Sequence, residues 1–106
     1  DARMGEVYAG GYRVNGDTVS VTDPDVVCAP ERLRIGGATP FVAAGPGWAA
    51  LPELQTHFNE RIQLLDVDAR PDATDVLLLA REAFRQGDIH KPTDVLPVYL
   101  RDRVTG

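Results

Sequence analysis

The chain opens on an alternating pattern. Between residues 6 and 14, Tyr8, Tyr12 and Val14 share one parity, the period of two that a β-strand imposes. Asn15-Gly16 follows, a pair tolerant of positive φ and a strong hairpin signal. Thr18-Val19-Ser20-Val21-Thr22 alternates as the return strand should. Gly10-Gly11 interrupts the first arm and predicts either a bulge or the close approach of another backbone. Beyond the hairpin the pattern changes. Residues 29–35 predict a short helix, with Pro30 in its first turn and Gly36-Gly37 ending it. Phe41-Val42-Ala43-Ala44 is a continuous apolar run, suited to a strand buried on both faces. It passes through Gly45-Pro46-Gly47 into Trp48-Ala49-Ala50-Leu51. Leu54 and Phe58 continue at helical spacing, and Pro52 shortens any helix there. Residues 62–67 predict a second short buried strand.

Residues 72–86 form the longest predicted helix. Asp72 is placed to cap it, and Asp75 stands three residues on, in the manner of a capping box. Ala73, Val76, Leu77, Ala80, Ala83 and Phe84 fall on one face, which is expected to pack against a sheet. Gly87 suits the residue just past the helix end. A loop over 90–95 should lead to an extended tail at 98–101, with Val98 and Leu100 packed and Tyr99 and Arg101 facing the other way. The order of elements predicts an α/β domain in which helices flank a mixed sheet.

Composition narrows the possibilities. A chain of 106 residues with 43% hydrophobic content is one domain by length, with enough apolar material for a core. Its net charge of −5 gives no long-range attraction for polyanions, so direct nucleic-acid binding is not expected. The single cysteine, Cys28, has no internal partner, and a cytoplasmic setting is the simplest expectation. The apolar runs are too short to span a bilayer. The sequence opens at Asp1 without an initiator methionine, as expected of a processed chain or a part of a longer one.

Few residues suggest chemistry. The two histidines, His57 and His90, are far apart in sequence and lack the spacing of a zinc protease, so surface roles and no metal are expected. Cys28 lies among mixed charges and reads as a structural thiol. Ser20 lies in a strand with no nucleophile elbow around it. Asp66 and Asp68 flank a valine at a predicted strand end, where they either bind a cation or sit in a solvated loop. The strand–glycine turn–helix over 41–51 has the form that offers backbone N–H groups to a phosphate or adenosine, or simply turns the chain. There is neither a Walker A sequence nor a Gly-x-Gly-x-x-Gly, and no cofactor is expected. Trp48 either caps the core or sits at a subunit contact.

Two motifs are specific enough to carry a resemblance. Asp1-Ala2-Arg3-Met4-Gly5-Glu6-Val7-Tyr8 resembles the motif opening the second half of the bacterial TsaB family, and Pro97-Val98-Tyr99-Leu100-Arg101 resembles its C-terminus. Gly45-Pro46-Gly47-Trp48 fits that family's glycine-glycine-tryptophan turn. The resemblance covers the whole chain. It implies a ribonuclease-H-like half-domain of the actin-like ATPase type, spanning residues 1–106 as the C-terminal portion of a two-domain protein. In that fold Asp1 ends a central strand whose body precedes it, so the half-domain is expected to lack its first strand. The gap between the arm at 6–14 and the strand at 41–44 must then be filled from elsewhere.

The resemblance also implies a role. Members of this family are non-catalytic subunits of the machinery that forms threonylcarbamoyladenosine in tRNA. They partner a TsaD-like catalytic subunit, and a TsaE-like ATPase joins the complex. The family's main pairing surface, which also offers a route to a homodimer, lies in the first half. In related ATPases an Asp followed two residues on by Gly, and a second glycine turn, contact the nucleotide. Here the corresponding positions are Asp1 and Arg3, and Gly45 and Gly47 around Pro46. A side chain at Arg3 and a missing N–H at Pro46 make both turns degenerate. Trp48, Tyr99 and Arg101 are the candidate partner contacts. The alternatives are an ATP-dependent, sugar-kinase-like phosphotransferase and a self-associating structural domain.

Overall fold

The computed structural model describes residues 1–88, 90 and 98–101. Strand β1 (Val7–Asn15) turns at Asn15-Gly16 into β2 (Thr18–Cys28), and the two pair antiparallel. Gly16 adopts a φ of +59°, as the turn requires. The return strand runs well past the residues whose alternation announced it. Its register shifts on both sides of Gly11, so the diglycine is a bulge. It is also a site of close approach. A β-carbon at Gly10 would overlap the Asp25 carboxylate, and one at Gly11 would meet Asp23 Oδ2 at 2.5 Å. The missing side chains let two aspartates from β2 lie flat across β1.

Only one 3₁₀ turn, Pro30–Arg32, forms where a short helix was expected. Leu33 is already extended at φ −66°, ψ 131°, and its side chain is buried. Strand β3 (Phe41–Ala44) pairs in parallel with β4 (Ile62–Asp66). Helices α1 (Gly47–Ala50) and α2 (Glu53–Phe58) connect them. Pro52 ends one helix and caps the other, because its ring cannot continue a helix but suits the start of one.

Among the described residues the strands form two separate two-stranded sheets, not the single mixed sheet expected. The two ladders meet through side chains. Val7, Leu33, Leu54 and Phe58 are buried together, and Ala9, Cys28, Ile35, Phe41, Trp48, Leu51 and Ile62 pack around them. Phe41, Trp48 and Phe58 form a triangle with ring centroids 6.0–6.2 Å apart, a spacing that favours tilted and edge-on contacts. Arg61 closes the loop before β3. Its guanidinium donates to the carbonyls of Ile35, Gly36 and Thr39 and lies over the Phe41 ring at 5.3 Å.

Two burial expectations fail. In β3 only Ala43 is buried and Val42 is 58% exposed, while in β4 Leu64 and Leu65 are exposed. One face of this two-stranded ladder packs on the aromatic triangle, and among the described residues nothing covers the other. The longest helix, α3 (Ala73–Arg85), forms where expected, with Asp72 Oδ1 accepting the Thr74 N–H at 2.7 Å. Among the described residues nothing buries its apolar face. No residue of α3 is buried, and Phe84 is 71% exposed. The pattern fixed the helix and its face but named no surface to receive it.

Candidate functional site

The residues singled out at the two ends of the chain meet in space. Asp1 to Glu6 form a tight left-handed turn. Arg3, Met4 and Gly5 have φ of +63°, +54° and +74°. For the two non-glycine residues this conformation costs roughly 1–2 kcal/mol each. Local hydrogen bonds hold it. Asp1 Oδ1 accepts the Arg3 N–H at 2.8 Å, Glu6 O accepts the Ala2 N–H at 3.0 Å, and Arg3 O accepts the Glu6 N–H at 3.1 Å. The Arg3 guanidinium reaches Asp1 Oδ2 at 3.3 Å but is 85% exposed, so the pair adds little stability.

Arg101 closes this turn from the far end of the chain. Its Nη1 donates to Ala2 O at 2.7 Å, and its Nη2 donates to Glu6 Oε1 at 2.7 Å and, at 3.5 Å, to Arg3 O. Its Cζ lies 5.6 Å from the centroid of the Tyr8 ring. The side chain is only 10% exposed, which strengthens each of these charge-assisted bonds.

The glycine turn lies beside the first. Gly45, at φ +118°, donates its N–H to Asp66 O at 2.9 Å, which ties the turn to the end of β4. Pro46 caps α1 and has no N–H to offer. Gly47 is buried, and a β-carbon there would stand 3.4 Å from the backbone N of Asp1. Asp1 and Gly47 are therefore neighbours, as two halves of one nucleotide site would be, while Arg3 points to solvent. The N–H groups of Ala2, Arg3, Glu6 and Gly45 are consumed within the fold, and the first turn presents carbonyls and a carboxylate to a cation.

The other candidates separate. Trp48 is half-buried against Phe41 and Phe58, as a cap on the core. Tyr99 is 80% exposed. Val98 is 84% exposed and Arg101 is turned inward, against the facing expected for these two residues, because the arginine's buried contacts are polar. Tyr99 and Arg101 line one wall of an open groove of about 390 Å³, with Tyr8, Gly10 and Asp25 on the other. His57 lies edge-on to Phe58 at 4.6 Å, and His90 pairs with Asp88 at 2.7 Å; both rings are exposed. Asp66 Oδ1 accepts the Asp68 N–H at 3.1 Å, a local turn. Cys28 is half-buried, and loss of solvent, then Glu6 and Glu31, raise its thiol pKa. Among the described residues no three His, Cys, Asp or Glu side chains come together as metal ligands. Nor is any described helix long and apolar enough to cross a membrane.

Sequence reasoning named Arg101 but missed its acceptors. Glu6 lies 95 positions away, and no local pattern joins the two. The signal that existed was a lone carboxylate in an otherwise apolar arm.

No family model matches the chain. It is similar to the tRNA threonylcarbamoyladenosine biosynthesis protein TsaB of Escherichia coli (strain K12), with 35% identity over 113 residues, covering 98% of this chain and 46% of that protein. Two chains of solved structure from Pseudomonas aeruginosa share its fold. One is an uncharacterized protein described as similar to peptidase YeaZ, with a TM-score of 0.76, 33% identity, and coverage of 95% of this chain and 46% of that one. The other is YeaZ, with a TM-score of 0.74, 33% identity, and coverage of 93% and 46%. The chain spans about half the length of the relatives it matches. Within that half it is a small mixed α/β domain homologous to TsaB and YeaZ.

Proposed function

We propose that this chain is the ribonuclease-H-like second half of a TsaB-type protein. In this reading the protein is a non-catalytic scaffold subunit of the tRNA threonylcarbamoyladenosine-forming complex. Its partners are a TsaD-like catalytic subunit and a TsaE-like ATPase, and its setting is the cytoplasm. The observation that carries the reading is a 35% identity that extends over 98% of the chain.

The geometry supports the non-catalytic part. Arg3 keeps the left-handed backbone that a glycine would occupy, at φ +63°, yet carries a side chain. The N–H groups of Ala2, Arg3, Glu6 and Gly45 are spent internally, and Pro46 removes another. A sugar-kinase-like phosphotransferase would need these groups free at its phosphates. The two open sheets support the half-protein part. Among the described residues β1 pairs only with β2 and β3 only with β4, so both have an edge to offer a strand from a preceding segment. Net charge of −5 favours leaving tRNA contacts to the partners.

Reconstitution tests the reading. The natural full-length protein containing this sequence should support threonylcarbamoyladenosine formation when mixed with TsaD-like and TsaE-like subunits, and should turn over no ATP alone. Failure to support the modification, together with ATP-dependent sugar phosphorylation lost in Asp1→Ala, would replace it with the phosphotransferase. Sedimentation with and without the TsaD-like subunit separates the scaffold from a domain that only self-associates.

A further inference from the structure

We infer that the left-handed turn over residues 1–6 is a guanidinium-binding site and that Arg101 is its resident ligand, so that the tail is a strap fastened by one side chain. This goes beyond the family reading and does not depend on it.

The donor and acceptor inventory points to this ligand. The site offers two backbone carbonyls, Ala2 O and Arg3 O, one carboxylate oxygen, Glu6 Oε1, and the face of Tyr8. A guanidinium satisfies them with a rigid fork and stays within cation–π reach of the ring at the same time. An ammonium is a point charge with no flat face to stack. The left-handed run at Arg3, Met4 and Gly5 is what turns the carbonyls of Ala2 and Arg3 toward the same cation.

Val98 and Tyr99 add little, at 84% and 80% exposed. Leu100 is covered in part, at 39% exposed, and the arginine is the most buried of the described tail residues. The fit is also incomplete, because Nε of Arg101 is buried with no hydrogen-bond acceptor among the described residues. A free guanidinium ion is not bound to a tail and can settle closer to all the acceptors. The strap also forms the outer wall of the groove over Tyr8 and Gly10, so its release would open that groove.

Chemical rescue tests the inference in the natural full-length protein. Amide exchange is read at Ala2 and Glu6, whose N–H groups close the turn, and ring resonances are read at Tyr8. Arg101→Ala should speed exchange at both amides by about tenfold or more. Methylguanidinium, at concentrations that leave the wild type unchanged, should restore protection and the Tyr8 resonances. Methylammonium at the same concentration should not. Arg101→Lys should behave like Arg101→Ala and be rescued in the same way. The Gly45 amide, bonded to Asp66 O, reports on global unfolding and should not change. If it does, Glu6→Gln replaces the arginine variants and should loosen the Ala2 and Glu6 amides while leaving Gly45 unchanged. Unchanged exchange in Arg101→Ala or in Glu6→Gln overturns the strap. Equal rescue by both cations, or rescue by neither, overturns guanidinium recognition.

Discussion

Gly47 opens α1 directly against Val7 of β1, so close that a β-carbon on the glycine would stand 2.9 Å from the valine's Cγ2. This contact joins the two halves of the core. Val7 is 5% exposed and β-branched, so it has no spare rotamer in which to retreat. The nearby backbone N of Asp1 blocks relaxation on another side. Gly47→Ala should therefore destabilise the protein by about 1–3 kcal/mol, as overpacking does in a filled core. A shift of the urea midpoint without a change in slope would show it.

Phe58 and Phe84 should differ sharply. Phe58 is 7% exposed and touches both other aromatic members of the core, so Phe58→Ala should cost about 3–5 kcal/mol. Phe84 lies on α3 with 71% of its surface in solvent, so Phe84→Ala should cost less than about 1 kcal/mol. Paired denaturation curves check this contrast. A large loss at Phe84 would mean that α3 packs on something beyond the described residues.

These elements show what was legible in the sequence. Local signals worked where local physics decides. Asn15-Gly16 placed the hairpin, Asp72 placed the start of α3, and the apolar run at 41–44 placed β3. Apolar periodicity was misleading where burial depends on a distant partner. It marked the α3 face and both strands of the parallel ladder as buried, and none of these has a full cover. The candidate site was half legible. Arg3 and the glycines were marked as a degenerate nucleotide turn because glycine and proline have fixed backbone meanings. That Arg101 closes that turn was not visible, because its acceptors are mainly backbone carbonyls, which every residue carries.

Arg3 offers a substitution expected to do no harm. Its φ of +63° is easy for glycine and strained for arginine. The ion pair it would lose is solvent-exposed and contributes little. The greater freedom of glycine in the unfolded chain offsets part of the relief. Arg3→Gly should thus range from neutral to about 1 kcal/mol stabilising. It should bring no binding of an ATP analogue, because the Ala2, Arg3 and Glu6 N–H groups stay engaged and Pro46 is unchanged. Saturable binding on this one change would show that the arginine alone had closed the site.

Alkaline pH should weaken the fold through two identified groups. Burial raises the Cys28 thiol above its ordinary value of 9.0, helped by Glu6 and Glu31 and opposed by Arg32 and Arg34. The hydrogen bond to Asp25 raises the Tyr12 hydroxyl above 10.0, with burial and the carboxylate charge adding to it. In each case the folded state holds its proton at a pH where the unfolded state has released it. The associated stability is complete below the unfolded values and is lost as pH rises through the folded ones. Denaturant midpoints followed from about pH 8 to about pH 11 should therefore fall. Cys28→Ala should remove the part of the decline that begins near 9.0, and Tyr12→Phe the part that begins near 10.0. The tyrosine contribution should be the smaller, since its ring is 52% exposed and solvent screens the pair. A decline of the same shape in wild type and both variants would assign it to other groups, and a flat wild-type profile would remove both pKa shifts from the account.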